Sequence, residues 1–216
     1  MPELIRQARS SCIRRRIVQA AIRLHREIGF RKTTVADIAR EASMSPANVY
    51  RFFPSKQAIE EKIVADMFEH VSATATLAAR GGSALERLTA VLGAISQLHE
   101  HRLENDSKQQ ELVAAAVREN WTIALVYADR IRGLVRAIIA AGQSSGELRP
   151  GSPMAISCCL LEAMDLYLNP SRISAATIRP TFDEMMDFCA GALRDMPWGP
   201  SVDLPADLCP KAVAQR

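Results

Sequence analysis

The stretch from Thr34 to Lys56 holds the side chains in this sequence best suited to gripping a polyanion. Thr34 and Ser45 each stand where a helix is expected to begin, and Pro46 follows Ser45 at a first helical position, where a missing N–H costs nothing. A helix N-terminus presents free N–H groups and the positive end of the helix dipole, a ready seat for phosphate. Tyr50 and Lys56 follow at distances where a hydroxyl and an ammonium can hold the flanking backbone of a duplex. Ala47, Asn48 and Arg51 lie between them, placed to face a major groove, where asparagine favours adenine and arginine favours guanine. Phe52 is open between groove contact and packing.

No other constellation competes. The sequence holds no G-x-S-x-G, no glycine-rich phosphate loop and no H-E-x-x-H. Glu162 and Asp165 share a helix face, but a carboxylate pair alone is weak ground for acid–base work. His99 and His101 stand two apart, on different faces of a helix, which argues against a shared metal. The five cysteines, Cys12, Cys158, Cys159, Cys189 and Cys209, have no C-x-x-C spacing and suggest neither a disulfide framework nor a zinc ribbon. Cys158 and Cys159 read as small core residues sooner than as a redox sensor. No metal and no cofactor are expected.

The elements that must position the Thr34–Lys56 residues are all helical. Ile13, Ile17, Ala20, Ala21, Leu24 and Ile28 form one face of a first helix, which Gly29 ends. Thr34, with Asp37 three residues on, caps a short second helix whose inner face is Ile38, Ala39 and Ala42. Ser43, Met44 and Ser45 break it, and a third short helix runs to about Phe53. Short helix, brief break, short helix is the helix-turn-helix layout. Ser55 caps a long fourth helix from Lys56 to the Arg80-Gly81-Gly82 stop, and Ser83 with Glu86 is a capping box for the fifth. Asp106 with Gln109 starts a sixth, a long helix containing Trp121 to Ile139 follows, Ser152-Pro153 opens an eighth to about Leu168, and a last helix covers roughly 175–195, with Pro180 kinking or beginning it. No β-branched alternation marks a strand and no internal repeat is visible.

The 216 residues are 48% hydrophobic and 24% charged, an ordinary globular composition. No apolar run is long enough to span a bilayer and no signal peptide is evident, so a cytoplasmic protein without membrane contact is expected. The net charge of +3 hides an asymmetry. Residues 1–56 hold twelve Lys/Arg against four Asp/Glu, whereas residues 57–216 hold fifteen against twenty. A basic first quarter on an acidic remainder points to one domain that meets a polyanion.

Residues 17–63, IVQAAIRLHREIGFRKTTVADIAREASMSPANVYRFFPSKQAIEEKI, resemble the DNA-binding domain of the TetR family of transcriptional regulators. The resemblance rests on Ala20-Ala21, Gly29, Thr33-Thr34, Ile38-Ala39, Ala42, Ser45, Val49-Tyr50, Phe53 and Ser55-Lys56. It implies phosphate contacts from Thr34, Ser45, Tyr50 and Lys56, and base reading by Asn48, with Arg51 a further candidate. Ala36 departs from members that carry a base-reading arginine there, which shifts weight to DNA shape and to Arg14-Arg15-Arg16. The fold expected is all-α: an N-terminal three-helix helix-turn-helix domain (1–55), a helical-bundle ligand-binding and dimerisation domain (56–196) and a poorly ordered tail (197–216).

The function expected is a repressor, released from a palindromic double-stranded DNA operator by a small-molecule effector. An activator or ligand-independent regulator is the alternative, as is, in another class, a helical ligand-binding or enzymatic protein with a basic interaction domain. Reading a palindrome needs a twofold homodimer. The family forms it from its last two long helices, here through Ile156, Leu160, Ala163, Phe182, Met186 and Leu193. Trp121, Tyr127, Met164 and Tyr167 are candidates for lining an effector pocket, with plain core packing the competing reading of each.

Overall fold

The structure, a computed structural model, describes residues 2–173 and 178–194, with side chains from Arg6 onward. Among them are ten helices and no strand. The first three are α1 (Pro2–Ile28), α2 (Val35–Glu41) and α3 (Pro46–Tyr50). The long α4 (Lys56–Ala78) leads to α5 (Ala84–Asn105), α6 (Ser107–Arg118) and α7 (Thr122–Ser144). The chain continues through α8 (Pro153–Ala163), the single turn α9 (Asp165–Leu168) and α10 (Phe182–Leu193).

Local chemistry accounts for most boundaries. Helix α1 reaches back to Pro2, beyond the apolar face that starts at Ile13, because Glu3, Leu4, Arg6, Gln7 and Ala8 are strong helix formers behind an N-terminal proline. Gly29 ends it at φ +87°, its N–H bonded to the His25 carbonyl at 2.9 Å. Reciprocal capping boxes close Thr34 with Asp37, Ser83 with Glu86 and Thr181 with Glu184.

Three expectations need correction. Asp106 precedes α6 but makes no side-chain cap, because its carboxylate accepts a 2.6 Å bond from Arg26 Nε across to α1. The eighth helix does not run unbroken to Leu168: at Met164 (φ −88°, ψ 2°) it tightens into a 3₁₀-type turn, where the Tyr167 N–H reaches the Met164 carbonyl. The last helix starts at Phe182, capped by Thr181, so Pro180 precedes it and kinks nothing. Residues 175–177 and 195 of the expected span, and the whole of 197–216, lie outside the described residues.

Two apolar cores result. The first joins Ile17, Ala20 and Ala21 of α1 to Ile38 of α2, Val49 of α3, Ile59 and Ile63 of α4, and Leu112 and Val113 of α6. The second gathers Leu88, Leu92 and Ile95 of α5, Val135 and Ile139 of α7, then Met164, Tyr167 and Met186. Helix α4 belongs to both, giving Phe68 to the first and Val71 and Ala75 to the second. Any tilt of α4 is therefore felt in both cores, since packed interiors transmit displacement.

Candidate nucleic-acid interface

Helices α2 and α3 are joined by a four-residue turn, Ala42 to Ser45. Ser43 takes a left-handed conformation there (φ +51°), and the Met44 N–H returns to the Ala39 carbonyl at 2.9 Å. Val49 is wholly buried and pins α3 to the first core. The opposite face is open: Ser45, Pro46, Ala47, Tyr50 and Arg51 are exposed and Asn48 is half-buried. The Asn48 amide, Tyr50 hydroxyl and Arg51 guanidinium form no hydrogen bond with other described residues, so their polar groups remain available.

The helix ends are preset. Ser45 Oγ accepts the Asn48 N–H at 3.3 Å, which leaves the Ala47 N–H as the free donor at the start of α3. At α2, Thr34 is more engaged than the sequence suggests. Both its N–H (3.1 Å) and its hydroxyl (2.6 Å) donate to Asp37 Oδ2, and these bonds hold the Asp37 carboxyl below its ordinary value. The Val35 and Ala36 N–H groups remain unpaired within the helix.

Lys56 likewise has internal work. Its Nζ donates to the Phe30 carbonyl at 2.6 Å and lies 3.3 Å from Glu60 Oε1, tying the first turn of α4 to the loop between α1 and α2. One N–H of the ammonium stays uncommitted. Phe52 packs half-buried against the first core, and the Arg14 guanidinium covers it and Phe53 at 6.0 and 5.2 Å from the ring centroids. Of the basic triplet, only Arg15 and Arg16 are therefore free of such a contact.

The residues expected around an effector are scattered. Tyr127 stacks on Phe68 (centroids 4.1 Å apart) and lines a cavity of about 190 Å³ with Ile131, Arg132, Leu161 and Asp165. Burial pushes its phenol well above the ordinary value. The other three do not line that cavity. Trp121 is the N-cap of α7, its indole N–H donating to Glu119 at 3.1 Å. Met164 and Tyr167 fill the second core, and the Tyr167 hydroxyl donates to the Pro180 carbonyl.

The residues expected at the dimer contact divide between core and surface. Ile156, Leu160, Met186 and Leu193 pack into the second core of the protomer, and Ile156, Leu160 and Leu193 also line a groove of about 200 Å³ between α8 and α10. Phe182 stands edge-on to Tyr167 at 5.9 Å. Of the six, only Ala163 is exposed, next to Cys159 and Phe188 on the same groove. The apolar stripe was legible in the sequence; which side of it the protomer covers was not.

A cavity of about 700 Å³ carries no signal in the sequence. It opens where α1, α4, α5 and the start of α6 meet, and Arg26, His70, His101 and Arg102 stand on its wall. His99, two residues from His101, is wholly buried elsewhere, as their different helix faces require.

An all-α chain that offers one capped, outward-facing helix behind a tight turn is a helix-turn-helix DNA-binding protein. Residues 17–63 match the bacterial regulatory proteins of the tetR family, and residues 84–187 match the tetracyclin repressor-like C-terminal domain. The chain belongs to the TetR family of DNA-binding transcriptional regulators, a family of regulators and not of enzymes. Among solved structures, it resembles a TetR/AcrR-family regulator from Thermobifida fusca YX-ER1 (22% identity over 82% of this chain and 94% of that one, TM-score 0.63). It also resembles the fatty acid degradation regulator FadR from Bacillus halodurans (13%, 84% and 94%, TM-score 0.60). AibR, in complex with isovaleryl coenzyme A and operator DNA, is a third (19%, 84% and 98%, TM-score 0.55). At these identities the likeness is one of fold. No curated protein sequence matches the chain. No helix of the described residues is long and apolar enough to cross a membrane.

Proposed function

We propose that this protein is a cytoplasmic homodimeric repressor that blocks a palindromic operator and leaves it when a small molecule binds. The observation that carries the DNA reading is the free face of α3, where Asn48, Tyr50 and Arg51 keep polar groups without internal partners. Thr34, Ser45, Tyr50 and Lys56 hold phosphate, Asn48 and Arg51 read bases, and Ala47 lets the α3 backbone approach the groove. Residues 1–55 act as the reading head and 56–196 as the effector and dimer domain. The outward sides of α8 and α10 supply the twofold contact, where Phe188 is 74% and Met154 45% exposed. The solved complex of AibR with both isovaleryl coenzyme A and operator DNA supports a ligand-responsive reading of this fold.

The test is selection of bound duplexes from a random pool at near-physiological salt. An enriched palindrome is expected, with half-sites about one helical turn, or a multiple of it, apart. Asn48→Ala should blur the preference at one position of each half-site, while Tyr50→Phe should weaken all sequences alike. A folded dimer that enriches nothing, before or after refolding to strip bound effector, sinks the reading.

A further inference from the structure

We infer that the cavity between α1, α4, α5 and α6 is the effector site, and that its ligand is an organic carboxylate with an apolar tail seated on Arg102. This rests on the reading of the chain as a ligand-released regulator.

Size selects the cavity. At about 700 Å³ it falls in the range that holds drug-sized ligands, whereas the α5–α7–α8 and α8–α10 cavities, at about 190 and 200 Å³, fall below it.

Charge selects the ligand. Two carboxylates reach the cavity, and each already has a cation: Asp66 pairs with Lys62, and Asp106 with Arg26 at 2.6 Å. Arg102 ion-pairs with no carboxylate among the described residues, although it is only half-exposed. Its polar neighbour is His99 Nδ1 at 3.4 Å, on a wholly buried ring that burial keeps neutral. Burial dominates at this guanidinium, pulling its pKa below the ordinary value against the weaker opposing influences of Tyr127 and Asp106. A guanidinium taken from water without a counter-ion is unfavourable, and its planar fork matches a carboxylate. His70 and His101 add two donors at the same wall, while the Asn105 amide is already turned onto His101. Ile22, Ile63, Met67 and Leu98 form the apolar part of the surface, with Gln109 beside them, and suit an alkyl chain.

Position supplies the regulation. Ile22 and Arg26 belong to the helix that carries the reading head, and Met67 and Leu98 belong to the second domain. A ligand wedged between them favours a different tilt of α1 against α4. The two recognition helices of a dimer would then no longer match successive grooves. The ligand need only bind this arrangement better than the DNA-bound one.

Straight-chain carboxylates of four to twelve carbons are titrated into the full-length protein by calorimetry, with octan-1-ol as the uncharged control and octanoyl coenzyme A as an alternative anion. One or more carboxylates should bind, and the alcohol at least tenfold more weakly. Arg102→Met should lose at least tenfold in affinity, and Arg102→Lys should recover part of it. Leu98→Trp should block the tail without touching the charge, while Ala128→Trp, in the smaller cavity, should leave binding unchanged. Melting temperatures of all variants report folding separately. No binding by any carboxylate, equal binding by octan-1-ol, or a folded Arg102→Met that binds like the parent overturns the site. Octanoyl coenzyme A binding alone overturns the carboxylate assignment. Binding that leaves operator affinity unchanged overturns the regulatory role. Failure of DNA selection would appear separately, because calorimetry needs no DNA.

Discussion

At the scale of single residues, two buried histidines carry a stability that depends on pH. His25 has both ring nitrogens buried without partners, and burial, then the nearby Lys56 charge, lowers its pKa to about 4. Burial, then Arg102, lowers His99 to about 3. Both are neutral in the folded chain at pH 7, whereas in the unfolded chain they titrate near about 6.5. Stability is therefore full above about 6.5 and falls with pH down to about 4 for His25 and about 3 for His99. The loss from His25 alone is on the order of 3 kcal/mol by this linkage. Denaturant unfolding of His25→Phe should show a flatter dependence between pH 7 and 4; a curve parallel to the parent would refute the assignment. Lys56 shows how one side chain serves two ends. Lys56→Ala leaves Glu60 buried without its cation and should lower stability by about 2 kcal/mol. If its third N–H also meets phosphate, the slope of log affinity against log salt should shrink by about 1. An unchanged slope would assign Lys56 to the fold alone.

At the scale of elements, the joint between α5 and α7 depends on the absence of a side chain. A Cβ on Gly142 would stand 2.5 Å from Ala84 Cβ and 2.7 Å from Leu148 Cδ1, so the two helix ends meet over bare backbone. Across the same joint Glu147 accepts the Ala84 N–H, and that bond, with one from Ser145, holds the Glu147 carboxyl below its ordinary value. Gly142→Ala should cost about 1–3 kcal/mol, even though alanine is the better helix former, because the neighbours must move. A thermal melt at or above the parent temperature would show that the joint is looser than its distances imply.

At the scale of the whole molecule, burial inside the protomer separates residues that support the fold from those available to a partner. Leu160 lies in the second core, so Leu160→Asp should unfold the chain instead of dissociating it. Phe188 projects into solvent, so Phe188→Glu should leave the melting temperature within a few degrees of the parent and yield a monomer by sedimentation at micromolar concentration. A Phe188→Glu dimer of unchanged strength would move the twofold contact elsewhere. Because one α3 reads few base pairs, the same monomer should lose operator affinity with its reading head intact.

The helix-turn-helix was legible in the sequence because its determinants are local. Thr34 reaches Asp37, Ser45 reaches Asn48 and Gly29 reaches His25, all within four residues along the chain, and apolar side chains three and four apart mark the inner face. The all-helical class followed from the same periodicity. The Arg26–Asp106 pair spans 80 residues and the Ala84–Glu147 bond 63, and neither has a local signature. Nor could Ile156 or Leu160 be assigned to core or interface from residue type, since both destinations want the same apolar side chain. That choice belongs to the packing of distant helices. The same packing left Arg102 without a counter-ion among the described residues beside the α1–α4–α5–α6 cavity, while supplying one to each neighbouring aspartate.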